Sequence, residues 1–162
     1  MENKRLGRQT VQFANPPVIL ATAAVVGPKE GQGPLAGYFD DIKNDSYVGE
    51  KTWERAESKL IEEASNLALQ KAGVRQQEVD FLLAGDLLNQ IVASNFAARA
   101  MSIPFFGLYD ACSTLTEGLA LGAMLVDGGF AGHLLVATSS HHDAAERQYR
   151  YPTELGTQRY PT

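Results

Sequence analysis

From Gly118 to Val126 the chain reads Gly-Leu-Ala-Leu-Gly-Ala-Met-Leu-Val, a helix-like segment that is apolar or small on every side. A helix with no polar stripe has to be covered all round. Helices on the outer faces of a sheet keep one wet side, so this segment predicts a helix lying between two layers, with Gly118, Gly122 and Ala123 permitting close approach. Glu117 is the exception at its start. A buried carboxylate is costly without a partner, so Glu117 is either a structural hydrogen-bonding group or part of a site.

The rest of the chain narrows the architecture. Thr10–Phe13 and Val18–Val26 are β-branched and apolar and predict strands, parted by Asn15-Pro16-Pro17. Gly27 to Gly37 is a loop by composition; its glycines are not followed by the Gly-Lys-Ser/Thr of a phosphate cradle. From Thr52 the period becomes 3.6, with Trp53, Ala56, Leu60, Ile61, Ala64, Leu67 and Ala68 on one stripe, Thr52 as N-cap and Gly73 as the stop. Then follow a strand over Val79–Ala84, a helix over Val92–Met101, a strand over Pro104–Tyr109, a helix over Ser113–Val126 and a strand over Leu134–Thr138. This alternation implies an α/β fold with a mixed, mainly parallel sheet. It also places functional residues at the carboxyl ends of strands: Gly85-Asp86, Asp110-Ala111-Cys112 and Ser139-Ser140-His141-His142.

Composition sets the outer limits. A chain of 162 residues with 44% hydrophobic content forms one domain with a real core. The 14 basic and 19 acidic residues give a net charge of −5 with no long run of either sign, which disfavours nucleic acid as a partner. A single cysteine and the polar opening Met1-Glu2-Asn3-Lys4-Arg5 suggest a soluble protein of a reducing cytoplasm. No apolar run approaches the roughly 18 residues that span a bilayer.

Cys112 stands at the start of the apolar helix, where unpaired amides and the positive end of the helix dipole favour a thiolate, an oxyanion or a bound carboxylate. Nucleophilic chemistry, anion binding and simple packing of a buried thiol all remain open at this point.

The run Ile103-Pro-Phe-Phe-Gly-Leu-Tyr-Asp-Ala-Cys-Ser-Thr, with Asp127-Gly128-Gly129 and His133-Leu-Leu-Val-Ala-Thr, resembles the nucleophile segment of the thiolase superfamily. A narrower set is similar to the stage V sporulation protein AD family: Gly27-Pro28-Lys29-Glu30, Leu82 to Gln90, Ala111 to Thr114, Val126 to Ala131, Ala137 to His141, Ala145 to Gln148, and Arg150 to Glu154. These blocks cover nearly the whole chain. The resemblance implies an αβαβα sandwich of two similar halves, with residues 1–162 forming the N-terminal half and the cysteine-headed helix in the central layer. It also implies a sporulation protein that binds dipicolinic acid, free or as its calcium chelate. Such a protein acts with other stage V A proteins in moving the acid into the developing spore, at the periphery of the spore inner membrane, without established catalysis or a cofactor.

The alternative the superfamily offers is an acyltransferase or condensing enzyme using Cys112 as nucleophile. Two departures bear on it. Ser113-Thr114-Leu115 stands where condensing enzymes commonly have glycine, and the superfamily's catalytic histidine comes from the second half, with His141 and His142 no substitutes by position.

A receptor for a flat pyridine dicarboxylate needs anion donors and apolar walls. The turn at Cys112 and Ser113 is placed to supply backbone donors, and Arg147 and Arg150 offer planar forks for carboxylates, or are solvent-exposed loop charges. His141 and His142 are placed to hydrogen-bond a ligand near the cysteine; as adjacent residues they make a weak metal site. Asp86 either satisfies backbone N–H groups in its turn or faces the ligand. Asn95–Tyr109 resembles the segment through which thiolases pair, and the apolar edge Phe105-Phe106-Gly107-Leu108 predicts a homodimer.

Overall fold

The computed structural model describes residues 4–150. The chain opens with a small antiparallel ribbon, β1 (Arg5–Leu6) and β2 (Thr10–Val11), followed by a parallel pair, β3 (Val25–Val26) and β4 (Asp41–Ile42). Then come α1 (Trp53–Ala72), β5 (Phe81–Gly85), α2 (Val92–Met101), β6 (Phe105–Gly107), α3 (Thr114–Asp127), β7 (Leu134–Thr138) and α4 (His142–Arg150). The main sheet is parallel throughout, in the order β6-β5-β7, with Leu82 opposite Phe105 on one side and Leu135 on the other.

The central strand shows why this sheet forms. Leu82, Leu83 and Ala84 are buried almost completely, as a strand covered on both faces must be. Burial of each leucine contributes roughly 2 kcal/mol. Leu82, Ala84 and Leu135 join Leu69 of α1 and Ala98 and Met101 of α2 in one core, while a second cluster packs Ile61, Ala93, Ala97 and Ala144 together. Helices α1, α2 and α4 therefore cover one face and α3 covers the other.

The caps of α1 are as the sequence predicts. Thr52 Oγ1 accepts the Arg55 N–H at 3.3 Å, and Gly73 ends the helix in the left-handed region, with φ of 67°. Its buried arc differs from the predicted stripe: Ala56, Glu57, Ser58, Ile61, Ser65 and Leu69 face inward, while Leu60, Ala64, Leu67 and Ala68 are half-buried. The helix touches α2, α4, β3 and β7, so the arc removed from water is wider than a single apolar stripe and takes in polar side chains.

Two expectations are corrected. The Val18–Val26 strand survives only at Val25–Val26; Val18, Ile19 and Leu20 are exposed, because among the described residues only β4 offers a ladder, and it reaches just that far. The apolar helix α3 is covered on one side only. Gly118 and Gly122 press it onto β7, where a Cβ on Gly118 would come within 2.6 Å of Val136 Cγ1. Its far side leaves Leu115, Leu119 and Met124 between 42% and 45% exposed, since residues 4–150 place no second layer above it.

Candidate functional site

Because β5, β6 and β7 run in parallel, their carboxyl ends open on the same edge of the sheet. There the residues after them enclose an open depression of about 340 Å³, lined by Leu87, Ala111, Cys112, Thr138, Ser139 and Ser140. Two of the strand ends singled out in the sequence line it, through Ala111-Cys112 and Ser139-Ser140; the third, Gly85-Asp86, does not, and only the next residue, Leu87, reaches it.

Cys112 is exposed and lies in a short 3-10 turn, Ala111–Ser113, that precedes α3. Spacing alone put it in the first turn of the helix; the structure puts it one residue ahead of the N-cap, Ser113. The turn is sharp because Ala111 adopts φ of 46°, a left-handed conformation disfavoured for a residue with a Cβ. The Ser113 hydroxyl and N–H both donate back to Asp110 O at 3.0 Å and the Thr114 N–H donates to Ala111 O, so the backbone donors expected at Ser113 are already taken by the turn itself. Close packing fixes the turn from below: Gly85 sits where a Cβ would lie 2.1 Å from Leu108 O and 2.9 Å from Thr114 Cγ2. Glu117 occupies the first turn of α3, half-buried, and its Oε2 has no partner among the described residues.

Asp86, His141, His142 and Arg147 do not line it. Asp86 is 2% exposed, and both its oxygens are committed: Oδ1 accepts the Leu88 N–H at 2.8 Å and Oδ2 the Ser94 N–H at 2.7 Å, in the first turn of α2. Of its two readings, the geometry gives the structural one. His141 is buried just ahead of α4; its Nδ1 accepts the Ala144 N–H at 3.4 Å and its Nε2 lies 2.7 Å from Ser46 O, so the tautomer with hydrogen on Nε2 satisfies both. His142 is exposed.

Arg147 belongs to α4 rather than a loop. Its guanidinium pairs with Glu54 and lies 5.1 Å over the Trp53 ring, which in turn stacks on Tyr47. Arg150 closes α4, but its side chain, like the block that follows it, lies outside the described residues.

Sequence reasoning missed Glu57. It is fully buried on α1, and its Oε1 accepts the Ser139 hydroxyl at 2.8 Å, directly behind the rim of the depression. Its Oε2 has no partner among the described residues. Burial pushes the carboxyl up to about 7, helped by the carboxylates of Asp86 and Glu54 and opposed by donation from Ser139 and the His141 N–H. The signal was present in the spacing: Glu57 stands four residues before Ile61 and eight before Ser65, on the line of α1 that is buried.

Among the described residues there is no group of three His, Cys, Asp or Glu able to hold a metal ion, and no helix long and apolar enough to cross a membrane.

Comparison with known proteins identifies relatives. The family model of Stage V sporulation protein AD (SpoVAD) matches residues 7–162. The Stage V sporulation protein AD of Bacillus subtilis (strain 168) is 48% identical over 159 residues, covering 98% of this chain and 47% of that protein. The chain thus spans about half the length of that curated relative. Among solved structures, the 3-oxoacyl-acyl-carrier-protein synthase III of Aquifex aeolicus superposes with a TM-score of 0.50 at 18% identity, over 58% of this chain and 31% of that one. That likeness identifies the fold as thiolase-like.

Proposed function

The chain belongs to the stage V sporulation protein AD family, and from that premise we propose that it binds dipicolinic acid in the depression beside Cys112 and takes part in its uptake into the developing spore. The observation that carries this reading is the make-up of the depression. Leu87 and Ala111 offer apolar wall, Thr138 and Ser140 offer hydroxyl donors, and the depression lies at the positive end of α3 beside Cys112. A flat aromatic ring with two carboxylates needs that combination.

Ser113, the N-cap of α3, holds the turn at Cys112 by donating its N–H and hydroxyl to Asp110 O. His141 and Asp86 act by holding the strand-end loops, not by touching the ligand. His142 and Arg150 remain candidate contacts on the strength of position, the former exposed at the start of α4. Arg147 is already engaged by Glu54 and Trp53. The acid enters free or as its calcium chelate. The protein works as a homodimer paired along the β6 edge, where Phe106 is exposed, and with other stage V A proteins at the spore inner membrane.

Calorimetric titration with dipicolinate, with and without calcium, tests the reading. Saturable binding that is abolished by Ala111→Trp, which fills the depression, is the expected result; binding undisturbed by that substitution places the ligand elsewhere.

A second reading has one observation in its favour, the exposed Cys112 thiol on the wall of the depression. An acyl-transferring enzyme would form a thioester there. Incubation with an acyl-coenzyme A donor followed by intact mass measurement decides it: an acyl adduct lost in Cys112→Ala supports transfer, and an unmodified chain excludes it for that donor.

A further inference from the structure

Among the described residues, Glu57 is a carboxyl group with no cation beside it, sealed behind the wall of the depression. The groups that face it are Ser139 from the end of β7, Asp86 from the end of β5, the backbone of His141 ahead of α4, and Glu54 on its own helix, the last already paired with Arg147. Two of these are carboxylates. Among the described residues only Ser139 connects Glu57 to the depression, and it does so through a hydroxyl that can turn either way.

We propose that Glu57 is a proton-linked positioning residue, so that an anion enters the depression together with a proton taken from solvent onto Glu57. The ionised carboxylate can only accept, which turns the Ser139 O–H inward and presents the hydroxyl lone pairs to the depression, where they repel an anion. The protonated carboxyl has an O–H of its own to donate to Ser139 Oγ. The Ser139 hydrogen is then released to point outward and donate to a ligand carboxylate. No covalent bond forms or breaks in the ligand, and the proton balances one negative charge brought in. The proton sits on Oε1, the oxygen 2.8 Å from Ser139 Oγ, and the unpartnered Oε2 becomes the carbonyl oxygen, whose demand for donors is smaller than that of a buried anion. A carboxyl already raised to about 7 by burial is poised to make the exchange near neutrality.

For dipicolinate this rests on the function proposed above; for small carboxylates in general it does not, and the test separates the two. With the full chain, dipicolinate affinity is measured from pH 6 to 8.5 in the native protein, in Glu57→Gln and in Ser139→Ala. In parallel, Cys112 is alkylated with iodoacetate and with iodoacetamide. The ratio of the two rates cancels the thiol's own ionisation and reports how the depression receives an anion.

The native protein should lose affinity with rising pH, approaching tenfold per pH unit above the Glu57 titration. Glu57→Gln should bind tightly at every pH, and Ser139→Ala weakly at every pH. The iodoacetate to iodoacetamide ratio should fall with pH in the native protein and stay level in Glu57→Gln. Dipicolinate binding that is independent of pH, with a level ratio in the native protein, overturns the proton linkage and leaves the ligand intact. A ratio that falls only when Glu57 is present, without dipicolinate binding, upholds the linkage and overturns that ligand.

Discussion

Lys4 and Asp127, 123 residues apart, share an ion pair of 2.5 Å, and the second oxygen of Asp127 accepts the Asn15 N–H at 2.6 Å. The last residue of α3 thereby fastens the N-terminal ribbon to the body of the protein. Donation from Lys4, then from Asn15, holds the Asp127 carboxyl below its usual range. A lowered carboxylate contributes stability that is present above the unfolded value, near 4, and disappears as pH falls through the folded one. Asp127→Asn is expected to speed amide hydrogen exchange over residues 4–15 at neutral pH, while the native protein loses the same protection on acidification below pH 4. Unchanged exchange in that segment would deny the fastening role.

Glu57 predicts the opposite pH behaviour. Its folded value, about 7, lies above the unfolded 4.5, so the folded state holds the proton more tightly and its contribution is complete below pH 4.5. Stability then declines as pH rises from 4.5 to 7, by a total on the order of 3 kcal/mol. Glu57→Gln is expected to flatten that decline and to raise the urea midpoint at pH 8; equal slopes in both proteins would place the titration elsewhere.

Gly85→Ala tests the packing that shapes the turn at Cys112. The new Cβ would meet Leu108 O at 2.1 Å, and that carbonyl cannot easily retreat because the Leu108 N–H is bonded to Ala84 O at 2.9 Å. A loss of about 3 kcal/mol in denaturant unfolding is expected, at the upper end for overpacking. Slower or faster alkylation of Cys112 in the variant would report the displaced turn.

Arg147→Ala separates two roles for one guanidinium. Its partners are Glu54 and the Trp53 face, and its side chain is 38% exposed, so solvent screening limits the cost of the substitution to about 1 kcal/mol of stability. Dipicolinate affinity should be unaltered. A large fall in affinity would instead mean that the ligand competes with Glu54 for the fork.

Much of this arrangement is legible in the amino-acid sequence, for physical reasons that differ by element. The β7 strand is found at its observed limits because Leu134–Thr138 is a short apolar run between turn residues. The α1 helix announces both ends through Thr52 and Gly73. Cys112 and Ser139 meet because parallel strands gather their carboxyl ends, a rule of topology that needs no coordinates. What stayed hidden depended on partners distant in the chain. The α4 helix is strongly polar, with a single alanine buried against Ile61, and reads as loop until α1 is beside it. Glu57 looks like any solvent-facing glutamate until Ser139 arrives from 82 residues away. Val18–Leu20 carries strand-forming side chains, yet strand formation requires a neighbour, and the neighbour reaches only Val25.

The common direction of β5, β6 and β7 has a bearing on how such a protein changes over generations. Substitutions in the turns that crown the slab can alter what is recognised while the interlocked leucines and alanines beneath keep their fit. Recognition and foldedness are thereby written into separate parts of the molecule, and each is free to drift at its own pace.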